Sequence, residues 1–268
     1  MPRVWRLLPL EVAPGPRNMG VDEALLWSAG ARGTASLRFY RWRGPWLSLG
    51  YRQQLDPLVR ARCAAAGVGI VRRATGGGAV LHGGDLTYAL AVPRDALPRR
   101  LPDAYGLIAE ALREALASLD VAVALSPDSA HSGVAATFDC FAAAGVRELL
   151  ARGRKLAGSA QRRAGGAVLQ HGSIRLEPDA AGARAAASLQ EGAAISLREL
   201  GCGASPRAVL EACVGALARS LGAHFEPDVL SPQERHWAGS RADWTPVAPC
   251  FSVEGSPSRT SRSPFADR

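Results

Sequence analysis

VRELLARGRKLAGSAQRRAGGAVLQHGSIRL, residues 146–176, reads as successive strands with turn signals at Arg152-Gly153 and Gly165-Gly166. Strands joined by such tight turns pair antiparallel, so this stretch sets the character of the sheet. Upstream, residues 3–9, SLRFYRW (36–42), WLSLG (46–50), GIVRR (69–73), AVLH (79–82) and LTYALAV (86–92) have the β-branched and aromatic content of strands. Helices are predicted over Met19–Ala29, with Asp22 and Glu23 near its positive N-terminal end, and over Asp56–Ala66, burying Leu58 and Val59. Another runs over Pro102–Leu119, where Leu107, Ile108, Ala111, Leu112 and Leu116 recur at helical spacing. A last one opens at Ser205-Pro206 and runs to about Leu221. The order lacks regular βαβ alternation. It predicts an α+β fold, a mixed and largely antiparallel sheet flanked by helices. Residues 1–246 read as one domain, and the Ser/Pro/Arg-rich residues 247–268 as a loose tail.

The chain has 268 residues, 47% of them hydrophobic and 21% charged, a composition that builds a core and excludes coiled coils, collagen and wholesale disorder. No stretch approaches the roughly 20 apolar residues that span a bilayer. The start has no secretory-type apolar run, which places the chain in the cytoplasm by default. There Cys63, Cys140, Cys202, Cys213 and Cys250 are expected as thiols. No CxxC pair occurs among them, so no metal site is expected.

Of 32 basic residues, 31 are Arg and one is Lys, Lys155. Arginine replaces lysine at most solvated positions, but not where an amine must lose a proton or where a compact charge fills a tight site. Lys155 is therefore the cation with a special task. It lies in a run, Arg147 to Arg175, with seven cations and only Glu148 as an acid, against a whole-chain charge of +8. Without a nucleic-acid-binding signature, that run suits an acidic protein partner better than nucleic acid. The triple glycine Gly76–Gly78 allows close backbone approach to a ligand. Cys140, in an irregular stretch, is the best-placed nucleophile, since nearby cations favour a thiolate; Cys63 and Cys213 lie in helical apolar patterns.

RRATGGGAVLH (72–82), DCF (139–141), GRKLAGSAQRR (153–163) and LQHGSI (169–174), with NMGVDEALL (18–26) and RADWTP (241–246), resemble the lipoate–protein ligase and octanoyltransferase superfamily, which also includes biotin–protein ligases. The cysteine-dependent octanoyltransferase branch is the most similar. The resemblance implies Cys140 and Lys155 as catalytic residues. It implies substrate binding by Arg72, Arg73, Thr75, Gly76, Gly77, Gly78, His82, Gly158, Ser159, Ala160, His171 and Gly172. Arg152, Arg154, Arg162 and Arg163 would form a carrier-docking patch. The implied reaction moves an octanoyl or lipoyl group from acyl carrier protein, through a Cys140 thioester, to a lysine of a lipoyl-domain protein. Glycine cleavage H protein and 2-oxoacid dehydrogenase E2 subunits are such acceptors. No cofactor, nucleic acid or membrane is required. Lys155 has two open roles: a charge beside the thiolate or oxyanion, or, with its pKa lowered by neighbouring arginines, a base for the acceptor amine. The alternatives are an ATP- and magnesium-dependent ligase, an amidotransferase between lipoyl domains, and a non-catalytic carrier-binding homologue. The short stretch after residue 246 favours the transferase over the ligase.

Overall fold

The computed structural model describes residues 3–127, 138–142 and 145–242. The expectations for residues 243–268, Cys250 among them, and for the stretch leading up to Phe138 lie outside these residues. The elements are β1 (Arg3–Leu7), β2 (Glu11–Ala13), α1 (Gly15–Arg32), β3 (Ser36–Trp42), β4 (Trp46–Leu49), α2 (Pro57–Ala65), β5 (Gly69–Arg72), β6 (Val80–His82) and β7 (Asp85–Pro93). They continue as α3 (Leu101–Ala117), β8 (Ala124–Leu125), β9 (Leu149–Ala151), β10 (Arg154–Ala164), β11 (Ala167–Arg175), α4 (Ala181–Ala186), α5 (Pro206–Leu221), β12 (Ala223–Pro227) and α6 (Pro232–Ala242).

The large sheet runs β12-β1-β3-β7-β11-β10-β9-β8, with β2 beside β3. Its centre, β3-β7-β11-β10-β9, is antiparallel, and β12, β1 and β3 are parallel. A small sheet, β5-β4-β6, stands apart. The expected α+β architecture is present. The period of two along β7 divides the core. Leu86, Tyr88, Leu90 and Val92 pack with Ile108 and Leu112 of α3 and Cys213 and Leu217 of α5. Ala89 and Ala91 face Leu25 and Ala29 of α1, with Leu169 of β11 beside them. Small alanines on that face let α1 lie close to the strands.

Two local expectations change. The first long helix begins at Gly15, after Pro14, so Asp22 lies about two turns inside it, buried, and serves side chains rather than the helix end. In α2, Val59 is buried, but Leu58 is 61% exposed, because Asp56 caps the helix through the Leu58 N–H and turns that side chain outward. Among the elements the sequence reading passed over, α6 had a visible signal. Ser231-Pro232-Gln233-Glu234 is a capping box: Glu234 Oε2 accepts from Ser231 N at 2.7 Å, and Ser231 Oγ accepts from Glu234 N at 3.2 Å. Arg6 of β1 grips both oxygens of that buried Glu234, at 2.8 and 3.0 Å, and Trp237 stacks on Trp27 of α1.

Burial alone would raise the Glu234 pKa, but the hydrogen bonds and charge of Arg6 and the Ser231 N–H outweigh it and lower it from 4.5 to about 2. A depressed carboxyl contributes stability above its unfolded pKa and loses it as pH falls through the folded one. The stability of the protein is therefore expected to fall between about pH 4.5 and pH 2. Glu234→Gln should flatten this acid limb in urea unfolding followed across that range, while lowering stability at neutral pH by about 2–3 kcal/mol.

Candidate active site

A cavity of about 50 Å³ opens on the α1 side of the large sheet, toward one end of its central strands. Met19, Trp42, Val80 and Phe141 give it apolar walls, and Cys140, His82, His171 and Ser48 are its chemically active lining. The site lies on the same face as the α1-packed alanines, further along the strands. Ala89 and Ala91 of β7 are succeeded by Asp85 and Thr87, and Leu169 of β11 by His171 and Ser173.

Arg73 holds the glycine loop, and Arg72 holds the Gly50–Gln53 segment beside it. Arg73, buried, donates through Nη2 to the carbonyls of Gly76 and Gly78, both at 2.7 Å, and through Nη1 to the Ser48 carbonyl at 3.0 Å. Arg72 donates to the carbonyls of Gly50, Tyr51 and Gln53. A Cβ on Gly50 would sit 2.0 Å from the Gly77 carbonyl oxygen, and Gly77 itself has φ +94°. Glycine is therefore required on both sides of that approach.

Immediately beyond the loop, Cys140 N donates to Ala79 O at 2.9 Å, and Ala79 N to Phe138 O. Asp139 fastens this short ladder: its Oδ1 accepts from Phe141 N at 2.8 Å and its Oδ2 from Gln190 N at 3.0 Å. These bonds fix the backbone on both sides of the thiol. Lys155 arrives from β10 at a bulge in the β9 pairing. Its Nζ lies 3.6 Å from Cys140 Sγ, 2.8 Å from Cys140 O and 2.7 Å from Glu148 Oε1. A Cβ on Gly158 would come within 2.5 Å of Lys155 Cε, so that glycine is the slot for the lysine. The side chain is 2% exposed. Burial disfavours its charge, but Cys140 and Glu148 together outweigh burial and raise its pKa. This corrects the expectation that neighbouring arginines lower it: the nearest charged groups are acids, and Lys155 is a cation through the neutral range.

Two hydroxyl–imidazole–carboxylate chains complete the site. Ser48 Oγ lies 2.8 Å from His82 Nε2, and His82 Nδ1 lies 2.8 Å from Asp85 Oδ2. Thr75 Oγ1 lies 2.6 Å from His171 Nε2, and His171 Nδ1 lies 2.8 Å from Asp22 Oδ2. Asp22 also accepts from Tyr40 and Arg38. Burial would raise the Asp85 pKa, but His82, Ser173 and the Gly83 N–H outweigh it and hold it well below the usual carboxylate range.

Of the residues singled out from sequence, Cys140, Arg73, Gly77, His82, Gly158, Ser159, Ala160, His171 and Gly172 share this cavity wall. Lys155 reaches the thiol from behind it. Arg72, Thr75, Gly76 and Gly78 stand outside the lining and support it. The basic run does not gather into one surface. Lys155 and Arg175 are buried. Arg154 donates to the carbonyls of Gly192 and Ala194. Arg162 donates to Ala74 O, and Arg163 to Pro98 O and Arg99 O. Arg152 is exposed in its turn. The sequence reading passed over Glu148, Ser48 and Asp85. Glu148 had a signal, as the one acid in a strongly basic run; Asp85 had another, three residues after His82.

Residues 14–224 match the family model described as the lipoyl protein ligase A/B catalytic domain. The chain is 40% identical over 188 residues to the octanoyltransferase LipM of Symbiobacterium thermophilum, a match covering 65% of this chain and 66% of the relative. It is 36% identical over 258 residues to the octanoyltransferase LipM of Kyrpidia tusciae, covering 88% and 94%. Among solved structures, lipoate-protein ligase A bound with ATP superposes with a TM-score of 0.74 at 23% identity, covering 89% of this chain and 94% of that one. The bi-partite lipoate protein ligase of Thermoplasma acidophilum gives 0.68 at 23%, covering 90% and 92%. At that identity the structures establish the fold. With the family match spanning most of the chain, and with the glycine loop and the lysine strand both inside it, the chain belongs to the lipoyl protein ligase A/B catalytic domain family.

Proposed function

We propose that this protein is an octanoyltransferase that carries the acyl group on Cys140. The observation that carries the reading is the Cys140 thiol in the wall of an apolar cavity, 3.6 Å from a buried lysine ammonium. A cation at that distance can offset negative charge that develops on the sulfur. The octanoyltransferases among its relatives support the same reaction class.

The donor is an octanoyl thioester, with acyl carrier protein as its source. The Cys140 thiolate attacks the carbonyl, the donor C–S bond breaks, and the carrier leaves as a thiolate that takes a proton from solvent. Lys155 acts as a fixed charge: it offsets negative charge on Cys140 before attack and when the sulfur leaves. The ε-amine of a lysine on a lipoyl-domain protein then attacks the enzyme thioester and forms the N-octanoyl amide. One thioester replaces another in the first step, and a more stable amide forms in the second, so no ATP is consumed.

Incubation with octanoyl-carrier is expected to add one octanoyl group by intact mass, through a hydroxylamine-labile bond. Cys140→Ala should abolish the adduct, and Cys63→Ala and Cys213→Ala should keep it. Transfer to a lipoyl domain should proceed without ATP and in the presence of a chelator. Strict ATP dependence with free octanoate would assign the protein to the ligase class instead.

The Glu148–Lys155 pair gives a signed prediction. Without Glu148 one of the two charges that raise the Lys155 pKa is gone, and burial weighs more heavily. In Glu148→Gln the alkaline limb of the acylation rate should therefore move to lower pH, while the maximal rate at lower pH is largely kept. Lys155→Arg should slow turnover by about a hundredfold or more, since a guanidinium does not fit the slot beside Gly158. Near-normal turnover of that variant would remove Lys155 from the mechanism.

A further inference from the structure

Amide formation needs a base, and Lys155 is poorly suited to be it. An acceptor lysine arrives mostly as an ammonium, with an ordinary pKa of about 10.4. Two protons leave its nitrogen for each amide made: one to free the lone pair, one after the C–N bond forms. The departing Cys140 sulfur can keep at most one of them. Once Cys140 carries the acyl group its sulfur has no charge, but Lys155 stays paired with the Glu148 carboxylate at 2.7 Å and is thereby held as a cation. Among the other titratable groups lining the cavity, burial and Asp22 push Tyr40 well above its ordinary value, and Arg73 does not deprotonate. The two imidazoles remain, and they differ in one respect. Ser48, the hydroxyl partner of His82, lines the cavity, whereas Thr75, the partner of His171, stands outside the lining.

We infer that Ser48, His82 and Asp85 form the proton relay of the second half-reaction, an inference that rests on the octanoyl-Cys140 reading above. Asp85 Oδ2 also accepts from the hydroxyls of Thr87 and Ser173, at 2.9 and 2.6 Å, and Oδ1 from Gly83 N at 3.0 Å. Surrounded by donors, Asp85 is a carboxylate and only accepts, so His82 Nδ1 carries the hydrogen and Nε2 is free to take one from Ser48. Ser48 Oγ has two lone pairs. Arg73 Nη1 approaches one at 3.3 Å, and the other is available to an amine N–H. The amine passes its proton to Ser48 Oγ as the Ser48 proton moves to His82 Nε2. The positive charge of Arg73 opposes retention of that proton on Ser48, and Asp85 stabilises the imidazolium. His82 is further fixed by stacking on Trp42, 3.9 Å between centroids. The arrangement shares the geometry of a serine–histidine–aspartate triad, with the serine as a conduit and the cysteine as the nucleophile.

The test separates the two half-reactions in His82→Gln and, in case that variant does not fold, in Ser48→Ala. Acylation of Cys140 by octanoyl-carrier should fall much less than the transfer step does. Transfer to the lipoyl-domain lysine should fall by about a hundredfold or more, and octanoyl-enzyme should accumulate in intact-mass spectra. Hydroxylamine, already neutral at neutral pH, should discharge that adduct at the parent rate. Equal loss in both half-reactions, slow discharge by hydroxylamine, or transfer to lysine at the parent rate each overturns the relay. A parent protein that forms no Cys140 adduct overturns the underlying reading, and the relay with it.

Discussion

The site depends on one buried ammonium. A lysine charge with almost no exposure is costly unless paired, and the chain surrounds Lys155 with acceptors: Glu148 Oε1, the Cys140 carbonyl and the Cys140 sulfur. Each partner needs its own support. Glu148 Oε2 accepts from Gly145 N at 2.6 Å. Cys140 is anchored through Ala79 and Asp139. β10 bulges at the lysine, and Gly158 leaves the room it needs. Removing the carboxylate would leave a buried charge short of a partner, a loss typically of about 3–5 kcal/mol. The same pairing that keeps the lysine in place keeps it protonated, which is why proton acceptance falls to another group.

The sheet makes this possible by changing character along its length. On one face of β7 and β11, alanines and leucine give way to Asp85, Thr87, His171 and Ser173 within a few residues. The α1 end of that face packs tightly, and the far end opens into the cavity. Strand alternation places these polar groups on one side, while the opposite residues fill the core under α3 and α5. The carboxylates that orient the imidazoles are reached across elements: Asp22 from α1 to β11, and Asp85 from β7 to the end of β6. A rigid, doubly covered sheet fixes such pairs better than loops could.

Much of this was legible in the chain. The 146–176 stretch is built as read, with β9, β10 and β11 joined at the two turns. The Cys140–Lys155 pair was legible because one lysine stood among 31 arginines. What was not legible depends on distance in sequence. Ser48 meets His82 across the β4–β6 register, 34 residues apart, and Asp22 meets His171 at a separation of 149. Periodicity carries no information on such pairs. Charge counting misled in a different way. It scored Arg147 to Arg175 as a patch, but alternation along β10 sends the neighbours Arg154 and Lys155, and Arg162 and Arg163, to opposite faces.

That dispersal also accounts for the unequal use of the two basic residues. The arginines of the site mostly do one job: they gather backbone carbonyls. Arg72 collects three, Arg73 three, Arg154 two and Arg163 two. A planar fork with five donors spans several carbonyls at once and ties loops that would otherwise leave them unsatisfied. Lys155 does the opposite. It concentrates a single charge against one sulfur, one carbonyl and one carboxylate, in a slot cut to the width of an alkyl chain by Gly158. A guanidinium would need a wider opening and would spread its charge over three nitrogens, away from the sulfur. A bias that turned nearly every solvated cation into arginine met a physical limit at this position, where size and charge density are both fixed by the thiol beside it.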